Sequence, residues 1–84
     1  MVHYLITCRS LTYAQKAARA LERSGITVVI MRTPKGLSKE GCSYCVKVSE
    51  RKGTMALAIL KECDARISRV FIQYHTGETR EVSV

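Results

Sequence analysis

The sequence predicts an α+β protein, a ferredoxin-like β-α-β-β-α-β sandwich with an antiparallel four-stranded sheet and two helices on one face. Three observations lead there. Runs of β-branched and aromatic residues alternate with two helical apolar stripes. The second stripe (Ala56, Ile59, Leu60, Cys63) repeats the spacing of the first (Ala14, Ala17, Ala18, Leu21) half a chain length later. The only proline, two of the five glycines and two of the four cysteines fall together in one segment between the halves, Thr33 to Cys45. With 84 residues, the expectation is a single domain over 1–84.

Val2 to Cys8 (VHYLITC) reads as strand 1, ended by Arg9-Ser10. Thr12 with Gln15 three residues later has the form of a capping box. The stripe from Ala14 to Leu21 then defines a helix with one apolar face, and Gly25 suits its end. Ile26 to Met31 is the second strand. After the intervening segment, Tyr44, Val46 and Val48 alternate with Cys45, Lys47 and Ser49, the signature of a half-buried strand. Ser49 or Thr54 can cap the second helix, whose start Gly53 makes uncertain. Ile67 to Tyr74 is the fourth strand, and His75-Thr76-Gly77-Glu78 a turn. Residues 76–84 then form a short extra strand or a loose tail.

In this topology both helices cover one sheet face and leave the other open. An open apolar face favours a homodimer through the sheet. The segment between strands 2 and 3 lies at one end of the sheet. Strands 1 and 3 are neighbours, which allows Cys8 and Cys45 to approach each other.

The composition is 46% hydrophobic and 25% charged, with no biased tract. No apolar run is long enough to span a bilayer, and the N-terminus lacks the basic and apolar regions of a signal peptide. The expectation is a cytoplasmic protein without membrane contact, whose cysteines serve as thiols, metal ligands or redox groups rather than as a disulfide frame. The net charge of +7 suits acidic partners or nucleic acid, but equally a solvated basic surface.

Cys42-Ser43-Tyr44-Cys45 has CxxC spacing. A thioredoxin-type site needs a helix after the first cysteine, whereas Val46-Lys47-Val48 reads as strand. A zinc site needs a second ligand pair, and Cys8, Cys63, His3 and His75 are scattered; only tertiary convergence or a dimer supplies four ligands, so no metal residues are assigned. A single active thiol is the third option. Cys42 follows Gly41, which permits a tight turn, and Arg32, Lys35 and Lys39 nearby favour a thiolate. Against it stands Cys42 as a small apolar filler at a strand start. Cys45 reads as such a filler, with a secondary thiol role as the alternative. Cys63 and Cys8 read as core.

A nucleic-acid module of the same fold stacks bases on aromatics of the two central strands. Here those strands offer only Tyr4 and Tyr44, and the total aromatic content is 6%. A dimeric regulatory domain binding a metal or small ligand is a further alternative.

Two motifs carry a resemblance to a family. Leu5-Ile6-Thr7-Cys8-Arg9-Ser10 and Thr33-Pro34-Lys35-Gly36-Leu37-Ser38, followed by Gly41-Cys42, resemble small bacterial proteins of the selenium/sulfur carrier-like family. The likeness runs roughly from Tyr4 to Phe71. The family pattern has a basic residue after the proline, a serine three residues later and then Cys-Gly; Lys35, Ser38 and Cys42 match it, while Ser43 replaces the glycine. The resemblance implies a non-enzymatic carrier, without a bound cofactor, that holds sulfur or selenium on Cys42 and exchanges it with donor and acceptor proteins. Arg9, Arg32, Lys35, Ser38, Lys39 and Gly41 would surround that thiol.

Overall fold

The computed structural model describes residues 2–34, 36–37, 44–63 and 67–82. The described elements run β1 (His3–Cys8), α1 (Leu11–Arg23), β2 (Val29–Arg32), β3 (Tyr44–Ser49), α2 (Glu50–Glu62), β4 (Val70–Gln73) and β5 (Thr79–Val82). They build one sheet in the order β2-β3-β1-β4-β5, with every neighbouring pair antiparallel. β1 and β2 therefore run the same way, joined through α1, with β3 between them. β3 and β4 do the same through α2, with β1 between them. As expected, β1 and β3 pair directly.

The expected four-stranded sheet is a five-stranded one. The turn after β4 sends the chain back: Gly77 N–H donates to Tyr74 O at 2.9 Å, and Tyr74 N–H donates to Glu78 O at 2.8 Å. β5 then pairs along β4, from Val70 opposite Val82 to Gln73 opposite Thr79. This covers the backbone edge that β4 would otherwise expose. Arg69 and Glu81 form an ion pair across the same two chain segments, and the Arg69 guanidinium lies 5.2 Å from the centre of the Phe71 ring. The pair is exposed and adds little stability.

Alternation along the strands divides the sheet into two faces. Ile6, Cys8, Val46, Val48 and Val70 pack with Ala14, Ala17 and Leu21 of α1 and Ala56 and Leu60 of α2 in one core. All four stripe residues of α1 are buried, as the spacing predicted. Three of them are alanines, which bring the helix backbone close to the sheet. Leu21, fully buried, contributes about 2 kcal/mol.

The helix ends follow local chemistry. Ser10, not Thr12, caps α1: its side chain accepts from Tyr13 N–H. Thr12 already lies inside the helix and is exposed. At the other end Gly25 N–H donates to Glu22 O and Ile26 N–H to Leu21 O, each at 3.0 Å. Gly25 has φ +82, and Ile26 folds back into the core beside Leu21. That capping holds Ile26 out of β2, which starts at Val29 rather than Ile26. The N-cap of α2 is Ser49, whose side chain makes no capping bond; Glu50 N–H donates instead to Val2 O at 3.1 Å.

Gly53 does not delay the start of α2 but lies buried within its first turns. A Cβ there would sit 2.7 Å from Tyr4 Cδ1, so the Tyr4 ring occupies the space a side chain would need. Cys63, expected in the core, is exposed. The buried side of α2 is Gly53, Ala56 and Leu60. Thirteen residues of helix rise about 20 Å, roughly the length of the six-residue β3 beneath them. Cys63 follows the last turn as the C-cap of α2.

Candidate functional site

The cysteine-bearing segment between β2 and β3 leaves and rejoins the sheet at one end. The register there places Arg32 opposite Tyr44 and Tyr44 opposite Cys8. One residue beyond Cys8 stands Arg9, exposed, followed by Ser10 at the N-terminus of α1. The first turn of α1 holds no acidic residue, so its partial positive charge adds to this basic rim. The structure thus brings Arg9 and Arg32 to the same sheet end. The remaining expected site residues, Lys35, Ser38, Lys39, Gly41 and Cys42, lie outside the described residues. The described part of β3 begins at Tyr44.

Part of the segment is seen. Leu37 N–H donates to Pro34 O at 3.2 Å, closing a turn with Gly36 at φ +94. Leu37 then packs on the sheet face away from the helices, against a cluster of Leu5, Cys45 and Phe71 flanked by Met31. Leu5 and Cys45 are fully buried and Phe71 is 4% exposed. The face expected to be open therefore has a buried apolar centre within one chain.

Cys45 belongs to that cluster, and Cys8 to the core under the helices. The two sit on neighbouring strands but on opposite faces, Cys45 opposite Thr7 and Cys8 opposite Tyr44. Both are free thiols. Burial pushes the Cys45 thiol up to about 11, against smaller opposing effects from the Thr33 hydroxyl and the Lys47 charge. Burial, with the neighbouring Cys45, pushes Cys8 up to about 11 as well. Buried and held protonated at neutral pH, neither can act as an accessible nucleophile in the folded protein. The CxxC spacing does not describe two equivalent exposed thiols.

Sequence reasoning passed over three residues at this end. Thr7 is buried but satisfied: its Oγ1 accepts from Arg69 N–H at 2.8 Å and donates to Arg69 O at 3.1 Å. Thr33 Oγ1 is buried without a well-formed hydrogen bond, with the Cys45 thiol as its polar neighbour. Arg69 follows Ser68, whose N–H donates to Thr7 O. A threonine in mid-strand and one before the proline were the available signals, and neither specifies a partner.

Among the described residues, no group of three or more His, Cys, Asp or Glu could hold a metal ion. Among them, too, no helix is long and apolar enough to cross a membrane. Tyr4 and Tyr44, the aromatics of the two central strands, pack toward the helix-side core rather than on the opposite face.

Fold and site together define a small α+β protein whose cysteine-bearing β2–β3 segment leaves a basic sheet end. Comparison with known families places it more closely. The family described as "Putative Se/S carrier protein-like" matches residues 3–72, which span β1 to β4, and the chain belongs to that family. No curated protein and no solved structure matches.

Proposed function

We propose that the protein carries sulfur or selenium on Cys42, between a donor and an acceptor protein. The observation that carries this reading is the family match across residues 3–72, which includes the whole Thr33–Cys45 segment. The thiol inventory supports the choice of cysteine. Cys8 and Cys45 are buried with raised pKa values, which leaves Cys42 and the exposed Cys63 as candidates. Of these, Cys42 has the cationic sequence neighbours Lys35 and Lys39, and Arg9 and Arg32 stand at the sheet end from which its segment leaves. Ser38 and Gly41 belong to the same stretch of sequence.

In the proposed step, the Cys42 thiolate attacks the outer sulfur of a persulfide on the donor. A new S–S bond forms at Cys42, the donor's S–S bond breaks, and the donor cysteine leaves as a thiolate. No net oxidation occurs, and the reverse attack by an acceptor thiolate unloads the carrier. The cations favour the attacking anion and guide docking to acidic partner surfaces. We read the four strands β1 to β4 as a ferredoxin-like unit to which β5 is added. The site acts in a cytoplasmic, non-enzymatic carrier. With the apolar centre of the second sheet face already buried, a homodimer through that face is not required for stability.

Competitive alkylation tests the choice of thiol. With limiting iodoacetamide at neutral pH, Cys42 is expected to react several-fold faster than Cys63, and Cys8 and Cys45 only after denaturation. Equal rates at Cys42 and Cys63 would remove the argument for an activated Cys42.

A further inference from the structure

At the sheet end opposite the cysteine-bearing segment lies a cavity of about 460 Å³, within the range of small-molecule sites. Its walls come from three places. Lys47 and Ser49 of β3 and His3 of β1 reach it from the sheet, Val29 and Met31 form an apolar side from β2, and Thr27 and Lys52 close it from the α1–β2 connection and α2. Lys47 and Lys52 give the lining a formal charge of +2, and among the described residues no carboxylate lines it. Ser49 is also the N-cap of α2, and its hydroxyl is not spent on capping that helix.

Two lysines and two hydroxyl-bearing residues line one cavity beside the start of α2, whose first turn also holds Glu50, and this lining suits an anion with several oxygens and about two charges. A phosphate monoester has that charge at neutral pH, whereas a carboxylate carries one charge and two oxygens. The Val29–Met31 wall offers contact to an apolar group attached to it, and Val29 is 55% exposed, so burial there gains free energy. We infer that this cavity binds a small phosphate monoester with an apolar or flat organic group. Met31 also packs against the Cys45 cluster, and the Lys47 charge acts on the Cys45 thiol, so a bound dianion would be felt there. The inference does not depend on carrier chemistry at Cys42.

The test is a titration of the whole protein with phenyl phosphate, followed by amide NMR. Saturable shifts are expected at Lys47, Ser49 and Lys52, with tighter binding than for inorganic phosphate or benzoate. The K47Q/K52Q double variant should bind roughly tenfold or more weakly. Val29→Glu, at an exposed position, should weaken binding similarly while leaving the spectrum folded. Cys42→Ser should leave affinity unchanged. Non-saturable shifts spread over the basic surface would overturn the proposal. So would equal affinity for benzoate, or undiminished binding by both variants.

Discussion

Cys8 and Cys45 differ in surroundings but share one consequence. Folding raises each thiol from 9.0 to about 11, chiefly by burial. The folded protein therefore keeps these protons over an interval in which the unfolded chain releases them. The resulting stabilisation is complete below about pH 9 and decays as pH rises toward about 11. Two units correspond to roughly 3 kcal/mol at most for each thiol. Because lysines and tyrosines titrate in the same range, the measurement is a difference. The loss of stability between about pH 8 and pH 10.5, from denaturant midpoints, should be smaller in Cys8→Ala than in the unsubstituted protein. Equal slopes would mean that Cys8 gives up its proton as easily folded as unfolded.

At the scale of elements, Gly53 shows most clearly how packing overrides propensity. Glycine costs a helix interior about 1 kcal/mol relative to alanine, so Gly53→Ala ought to stabilise an isolated α2. In the folded protein its methyl would meet the Tyr4 ring at 2.7 Å. Overpacking of this kind costs about 1–3 kcal/mol and is expected to outweigh the propensity gain. Thermal unfolding should show Gly53→Ala less stable than the parent, and Tyr4→Leu should relieve part of that effect. A stabilised Gly53→Ala would mean that Tyr4 moves aside freely.

The elements also show what the sequence makes legible. The α1 stripe was readable because Ala14, Ala17, Ala18 and Leu21 all lie over the sheet. The equivalent stripe of α2 misled at Cys63, because periodicity does not tell where the helix ends, and Cys63 is its exposed C-cap. The Thr79–Val82 strand carries one apolar residue on its helix-facing side, Val82, so pattern alone left it undecided between strand and tail. Its pairing with β4 settles the question in three dimensions. The N-cap was misplaced by two residues because Ser10 and Thr12 both offer a hydroxyl, and only the backbone turn at Ser10 selects one. At the site, alternation put Cys45 on the face opposite Val46, whereas its burial there, with Leu37 packed against the cluster, required long-range contacts that no local pattern encodes.

For the whole molecule, the cover over the second sheet face decides whether Cys45 meets solvent. Leu37 reaches back from the β2–β3 segment to close the Leu5, Cys45 and Phe71 cluster. Leu37→Asp should lower stability by about 1–3 kcal/mol and expose apolar surface to a hydrophobic dye. It should also speed alkylation of Cys45 in the native protein. A Cys45 as protected as before would show that Leu37 is not its shield. The burial of Cys8 and Cys45 narrows the choice of thiol in the proposed carrier to Cys42 and Cys63.

The most direct measurement is sulfur loading. The protein is incubated with a cysteine desulfurase and free cysteine, blocked with an alkylating reagent, and mapped by peptide mass spectrometry. The account predicts one added sulfur on the peptide containing Cys42, lost in Cys42→Ser and retained in Cys63→Ser. Sulfur found equally on Cys63, or loading that persists in Cys42→Ser, would contradict it.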